Sequence, residues 1–150
     1  AIESSLNFTP NDQIRLFILY NQQHNYRPSD GSLVSSNKRP RIKVEYQITP
    51  SIFLRGVIQY DSRYRDALRD NSRTELPVYV QNSDGDYSKT EQLYQNDITA
   101  DFLFSYRPNP GTLIFIGYGS ALTEPNALKF RSMTRQVDRF FLKLSYLFQS

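Results

Sequence analysis

The chain has 150 residues, with no Cys, no Trp, eleven Tyr, ten Phe and a net charge of +3. Without cysteine there is no disulfide framework, thiolate nucleophile or cysteine metal site. The mean hydropathy is negative and the apolar runs, such as Leu16-Phe17-Ile18-Leu19-Tyr20, reach only about five residues, which excludes a membrane helix of about 20. Barrel strands escape that exclusion, because only every second residue of such a strand is apolar.

Basic residues are interleaved with acidic ones, a pattern that argues against a nucleic-acid surface. The densest cluster, Lys38-Arg39-Pro40-Arg41, reads as a strand mouth facing acidic lipopolysaccharide or solvent. The chain opens at Ala1 with no basic segment ahead of an apolar run, so it reads as a mature chain or a fragment.

Seven stretches alternate with period two, and the connections between them are short and long in turn. Ile2, Leu6 and Phe8 oppose Glu3, Ser5 and Asn7, ending at the turn Thr9-Pro10-Asn11-Asp12. Ile14, Leu16, Ile18 and Tyr20 oppose Arg15, Phe17, Leu19 and Asn21, and a loop is expected over residues 27–37. Ile42, Val44, Tyr46 and Ile48 oppose Arg41, Lys43, Glu45 and Gln47, the cleanest two-faced pattern in the chain. Thr49-Pro50-Ser51 turns into Ile52, Leu54, Gly56, Ile58 and Tyr60, opposite Phe53, Arg55, Val57, Gln59 and Asp61.

A long polar connection follows over residues 65–95, with Leu76-Pro77-Val78-Tyr79-Val80-Gln81 as a candidate extra strand. Ile98, Ala100, Phe102, Phe104 and Tyr106 then oppose Thr99, Asp101, Leu103 and Ser105 before the turn Pro108-Asn109-Pro110-Gly111, fixed by restricted and positive φ. Residues 112–122 are apolar on both faces, and Ile114, Ile116 and Tyr118 are assigned outward. After a loop over residues 123–135, Phe140, Leu142, Leu144, Tyr146 and Phe148 oppose Lys143 and Ser145.

This pattern predicts an all-β chain, one antiparallel transmembrane β-barrel segment over residues 1–150, with one face of each strand toward lipid and the other toward the lumen. Short turns near Pro10, Pro50 and Pro110 are expected on the periplasmic side of a bacterial outer membrane, with long loops outside. Tyr20, Tyr60 and Tyr118 near one rim and Tyr46, Tyr106 and Tyr146 near the other are expected to form two aromatic girdles. Seven strands with a periplasmic carboxyl terminus would start outside, whereas such barrels have an even number, so at least one earlier strand is expected and the chain reads as the carboxyl-terminal part of a larger barrel. A complete eight-stranded barrel with one unrecognised strand is the alternative. At fold level, a soluble β-sandwich or lipocalin-like protein is the rival.

The terminal strand is similar to an outer-membrane insertion signal, carried here by Lys143, Ser145, Tyr146 and Phe148, although Ser145 stands where Gly is usual and Gln149-Ser150 follow the aromatic. Three stretches carry a wider resemblance: residues 48–60, residues 106–118 and residues 142–148. They resemble the carboxyl-terminal barrel of an uncharacterised bacterial family, common in Bacteroidota, whose members carry an amino-terminal domain like the family-nine carbohydrate-binding modules. The shared pieces have the forms Pro-x-x-x-Leu-Arg-Gly-(three residues)-Tyr and Tyr-Arg-Pro-x-x-(several residues)-Tyr. The resemblance implies an outer-membrane protein with much chain upstream, so that any sugar binding belongs to the wider family and to no residue here.

The polar face supplies the candidate functional residues: Glu3, Arg15, Arg41, Lys43, Glu45, Arg55, Gln59, Asp101 and Lys143. Opposite charges on neighbouring strands are expected to pair across the ladder and hold the barrel's shape; the functional reading is a polar channel or a seat for a plug or partner. His24, the only histidine, reads as a surface imidazole at a strand end, and it supports neither a metal site nor a catalytic triad. Asn82-Ser83-Asp84-Gly85-Asp86 begins like a calcium loop, but Tyr87 and Leu93 stand where Gly and a bidentate Glu are needed, so it reads as a turn. Asp66, Asp70, Arg65 and Arg69 read as a solvated loop.

No catalytic residue and no cofactor is expected. The expected partners are outer-membrane lipid and lipopolysaccharide, the barrel assembly machinery during insertion, and proteins of the cell envelope. The expected role is an anchor or a component of a larger envelope assembly, with a pore or transporter for small solutes or glycans as the alternative and an enzyme the least supported.

Overall fold

Alternating β-branched, aromatic and polar residues favour extended backbone. In the computed structural model, which describes residues 1–70 and 73–147, they give nine strands and no helix among the described residues. The strands are β1 (Ile2–Asn11), β2 (Ile14–Tyr26), β3 (Leu33–Thr49), β4 (Ile52–Arg65), β5 (Tyr79–Gln81), β6 (Tyr87–Lys89), β7 (Leu93–Tyr106), β8 (Thr112–Thr123) and β9 (Thr134–Tyr146). Seven form one antiparallel sheet in the order β1-β2-β3-β4-β7-β8-β9, and β5 and β6 form a separate hairpin inside the long connection. The expected extra strand thus exists, shortened to Tyr79–Gln81 and paired with its own partner.

The register places the two expected faces where the alternation put them. Leu16, Val44, Gly56, Phe102, Tyr118 and Phe140 follow one another as neighbours or next-row neighbours across the sheet, and Ile114 and Ile116 join that apolar face opposite Leu144 and Leu142. Among the charged residues of the sheet strands before β9, Lys38 alone stands on the apolar face, beyond Pro40 toward the loop end. The basic cluster at residues 38–41 is therefore split, with Arg39 and Arg41 on the polar face.

Connections 12–13, 50–51 and 107–111 lie at one end of the sheet, and connections 27–32, 66–92 and 124–133 at the other. Three boundaries differ from the sequence-based expectation. The first turn falls at residues 12–13 rather than around Pro10, because the Asn11 carboxamide oxygen accepts from the backbone N–H of Gln13 (3.0 Å) and of Ile14 (2.9 Å). Pro10, which has no N–H to give, sits at the register shift between Phe8 and Asn11. The loop expected over residues 27–37 is only residues 27–32, since Ser35, Ser36 and Asn37 ladder onto Asn25, His24 and Gln23. The last strand begins at Thr134, several residues before its apolar alternation becomes clear.

Among the described residues, neither face of this sheet is covered by a second layer. Element contacts run only between ladder neighbours, and β1 and β9 do not pair with each other. Tyr60 and Ile98 are the only buried apolar side chains among the described residues. The accessible surface is 11124 Å² for a 17.5 kDa chain, against about 7,900 Å² for a compact monomer of that mass.

Candidate functional site

All nine candidate residues on the polar face stand on that face, in rows set by the register. In the row nearest the loops, Glu3 opposes Asn21 and Asn21 opposes Arg39. Deeper rows hold Arg41 opposite Gln59, then Lys43 opposite Val57 and Val57 opposite Asp101, then Arg15 opposite Glu45 and Glu45 opposite Arg55. Lys143 lies farthest toward the short turns, opposite Phe115.

The expected cross-strand pairing holds at the loop end and fails in the middle. Arg39 pairs with Asp61, and Arg63 Nη2 with Asp97 Oδ2 at 3.2 Å, both across neighbouring strands. Glu45, flanked by Arg15 and Arg55, instead takes Lys43 Nζ at 3.1 Å along its own strand. Arg15, Arg41, Arg55, Arg139 and Lys143 have no carboxylate within 4.0 Å among the described residues, and neither does Asp101 a cation. Arg139, which lies ahead of the apolar alternation that marks the last strand in the sequence, joins this face opposite Gly119.

Two glycines shape this face. Phe141 lies flat on Gly117, so closely that a Cβ there would fall 1.9 Å from its ring, and a Cβ on Gly119 would stand 2.7 Å from Asp101 Oδ1. Between them Arg41, Lys43, Arg55, Asp101, Arg139 and Phe141 line a concavity of about 400 Å³. Arg41 Nε, one of these donors, is buried without a hydrogen-bond partner.

The loop end is built differently. The Arg27 guanidinium donates to Asp66 Oδ2 and to Ser32 Oγ, each at 2.8 Å, and to the Ala67 carbonyl at 3.2 Å. Gln92 adds a donor to Asp66 Oδ1 at 3.0 Å. Both side chains of the ion pair are buried, 3% and 6% exposed, so the loop around Asp66 is not solvated as expected. Arg27 first, then Gln92, holds the Asp66 carboxyl below its usual value. No local pattern announces a pair whose members are separated by 39 residues.

Glu124 organises the last loop in the same way. Its carboxylate accepts from the Tyr60 hydroxyl (2.9 Å) and from the backbone N–H of Lys129 (3.1 Å) and Phe130 (2.9 Å), while Leu128 N donates back to the Tyr60 oxygen at 2.7 Å. The loop thereby covers Tyr60, which is 5% exposed and cannot belong to an exposed girdle. The other five tyrosines expected in the girdles all lie on the apolar face. His24 sits on the β2 extension between Gln22 and Tyr26, sharing hydrogen bonds at 2.7 and 3.1 Å. Residues 82–86 form the tight turn of the β5–β6 hairpin, with Gly85 at φ +90° and its N–H donating to the Asn82 carbonyl.

Of the residues expected to carry an insertion signal, Lys143 and Ser145 stand on the polar face and Tyr146 on the apolar face; Phe148 lies outside the described residues. Comparison with protein-family models, with curated proteins and with solved structures returns no match to this chain.

Proposed function

We propose that the sheet is part of the wall of a bacterial outer-membrane β-barrel, with its apolar face toward lipid and its polar face toward the lumen. One observation carries this reading: an apolar band continues in register across all seven strands, broken by charge at Asp138 of β9 in the row of Ile58, and is left exposed, with Ile58 48%, Phe102 51% and Leu142 66% accessible. Monomeric soluble proteins rarely leave contiguous apolar patches larger than a few hundred Å² in water. The stretch of β4 in the band, residues 52–60, has about the 9–11 residues that a tilted strand uses to cross a bilayer. The short and long connections fall on opposite ends, as the periplasmic turns and outer loops of such barrels do. The free edges of β1 and β9 need partners, because lipid offers no hydrogen bonds to unpaired backbone; further strands complete the wall.

On this reading the barrel anchors, or passes material for, a larger envelope protein. The unpaired cations in the middle of the polar face favour a solvated lumen over a purely structural plug-free anchor. Fractionation of cells making the full-length protein, followed by electrophoresis of unboiled and boiled samples, tests the barrel: it is expected in the outer membrane with heat-modifiable mobility. A protein that remains soluble without detergent overturns the reading. Planar-bilayer recording separates the two roles, since a stable open-channel current sinks the pure anchor.

A further inference from the structure

The geometry points to a binding site for a small oxyanion, a carboxylate- or phosphate-bearing solute, on the polar face at Arg41, Arg55 and Arg139. The inference rests on the barrel reading, which makes this face the lumen wall.

Lys43, Val57, Asp101, Gly119 and Arg139 are successive register partners across five strands. Arg41 lies in the row above and Arg55 in the row below. Strand alternation and register thus gather cations from β3, β4 and β9 around one concavity of about 400 Å³, within the size range of small-ligand pockets. Gly119 leaves the floor open, since any side chain there would meet the Asp101 carboxylate.

The charges of this zone do not satisfy one another. Lys43 is engaged by Glu45 at 3.1 Å, whereas Arg41, Arg55 and Arg139 have no carboxylate within 4.0 Å among the described residues. A single carboxylate, Asp101, stands among them in the concavity. Arg41 Nε is moreover a buried N–H with no acceptor, and buried donors in folded proteins are nearly always satisfied. Nearer the loops, the same face neutralises its cations internally, Arg39 with Asp61 and Arg63 with Asp97. The excess positive charge is therefore local. Guanidinium forks fit the two oxygens of a carboxylate or phosphate, which makes an oxyanion the complementary occupant.

The test titrates inorganic phosphate and citrate, in separate arms at matched ionic strength in chloride buffer, into the detergent-solubilised full-length protein by calorimetry. Saturable binding of either is expected, and the arm that responds narrows the class. Arg55→Gln and Arg139→Gln are each expected to weaken binding about tenfold, Arg63→Gln to leave it within about twofold, and Asp101→Asn to tighten it severalfold, a gain that misfolding cannot produce. Heat-modifiable mobility is recorded for every variant, so loss of the barrel and loss of the site are read separately. A folded barrel that binds neither anion, or whose arginine variants bind like wild type, overturns the site. So does a result in which Arg55→Gln only lowers thermal stability, because the guanidinium would then be paired with an acid of another strand.

Discussion

The loop end and the strand body use the same polar residue types to opposite effect. At the loop end, Arg27, Asp66, Asn96 and Glu124 are all buried, and each has a partner from a distant part of the chain. In the strand body, by contrast, Asp61 near the loop end is the one charged residue of the polar face that is buried among the described residues, and the central guanidiniums have no carboxylate partner among them. The difference separates what the chain stabilises by itself from what depends on its surroundings. Loop order is internal and survives in any solvent that keeps the ion pairs intact. The body, with both faces uncovered, takes its stability from ladders and from whatever wets or coats it.

Removing one member of the buried pair tests that separation most severely. Arg27→Ala leaves the Asp66 carboxylate buried without its cation, a change that costs about 3–5 kcal/mol in comparable buried pairs. Hydrogen exchange on the full-length protein is expected to show loss of protection at the loop end, around Ser32 and Ala67, with the ladders of β7 and β8 unchanged near the short turns. Exchange that rises equally throughout the sheet would show that the two regions are not separable. The same pair sets an acid limit. The Asp66 carboxyl in the folded protein lies below its unfolded value of about 3.9, so its stabilisation is complete above that value and is lost as pH falls through the folded one. Loop-end protection is thus expected to hold from neutral pH down to about 4 and to fail below, and Asp66→Asn to remove that acid transition.

Glu124→Gln is the next largest change. Three residues of its loop, Leu128, Phe130 and Ser132, hold positive φ of 59°, 52° and 58°, an arrangement non-glycine residues adopt only when held. The amide would present a donor to one of the two backbone N–H groups that now share the carboxylate, a loss of about 1.5–3 kcal/mol. Limited proteolysis within residues 124–133 is expected to accelerate, with Tyr60 becoming accessible. Cleavage at the wild-type rate would mean that the Tyr60–Phe130 ring contact alone holds the loop. In the body, Gly117→Ala must push the Phe141 ring off the sheet, an overpacking of about 1–3 kcal/mol, read as a lower melting temperature with the loop-end protection retained.

The body was legible in the sequence and the loop end was not, for one physical reason. A strand exposes its environment with period two, so Arg41, Lys43 and Glu45 against Ile42, Val44 and Tyr46 declare both faces locally. Even β8, apolar on both sides, has its register settled by neighbours: Tyr118 sits between Phe102 and Phe140. The polar strand extensions escaped because Ser35, Ser36 and Asn37 carry no apolar alternation, although their backbones ladder equally well. The pairs Arg27–Asp66 and Tyr60–Glu124 escaped because they join residues brought together only by the finished sheet. The central cations were legible as residues of one face, but their lack of partners required the register: Arg15, Glu45 and Arg55 look paired in sequence, and Lys43 takes the carboxylate.

The smallest expected effect is the sharpest check on this contrast. Arg63 and Asp97 form a cross-strand pair like Arg27 and Asp66, but Arg63 is 51% exposed and Asp97 22%. Exposed pairs contribute about 0–1 kcal/mol, because water already solvates both ions. Asp97 also keeps the Gln95 amide at 2.8 Å when Arg63 is removed. Arg63→Gln is therefore expected to shift stability by less than about 0.5 kcal/mol, and by less still in high salt. A loss comparable to that of Arg27→Ala would mean that the rim is as dry as the loop cluster, which places a covering partner over the loop-side end of β4 and β7 and moves the boundary between the two regions down the sheet.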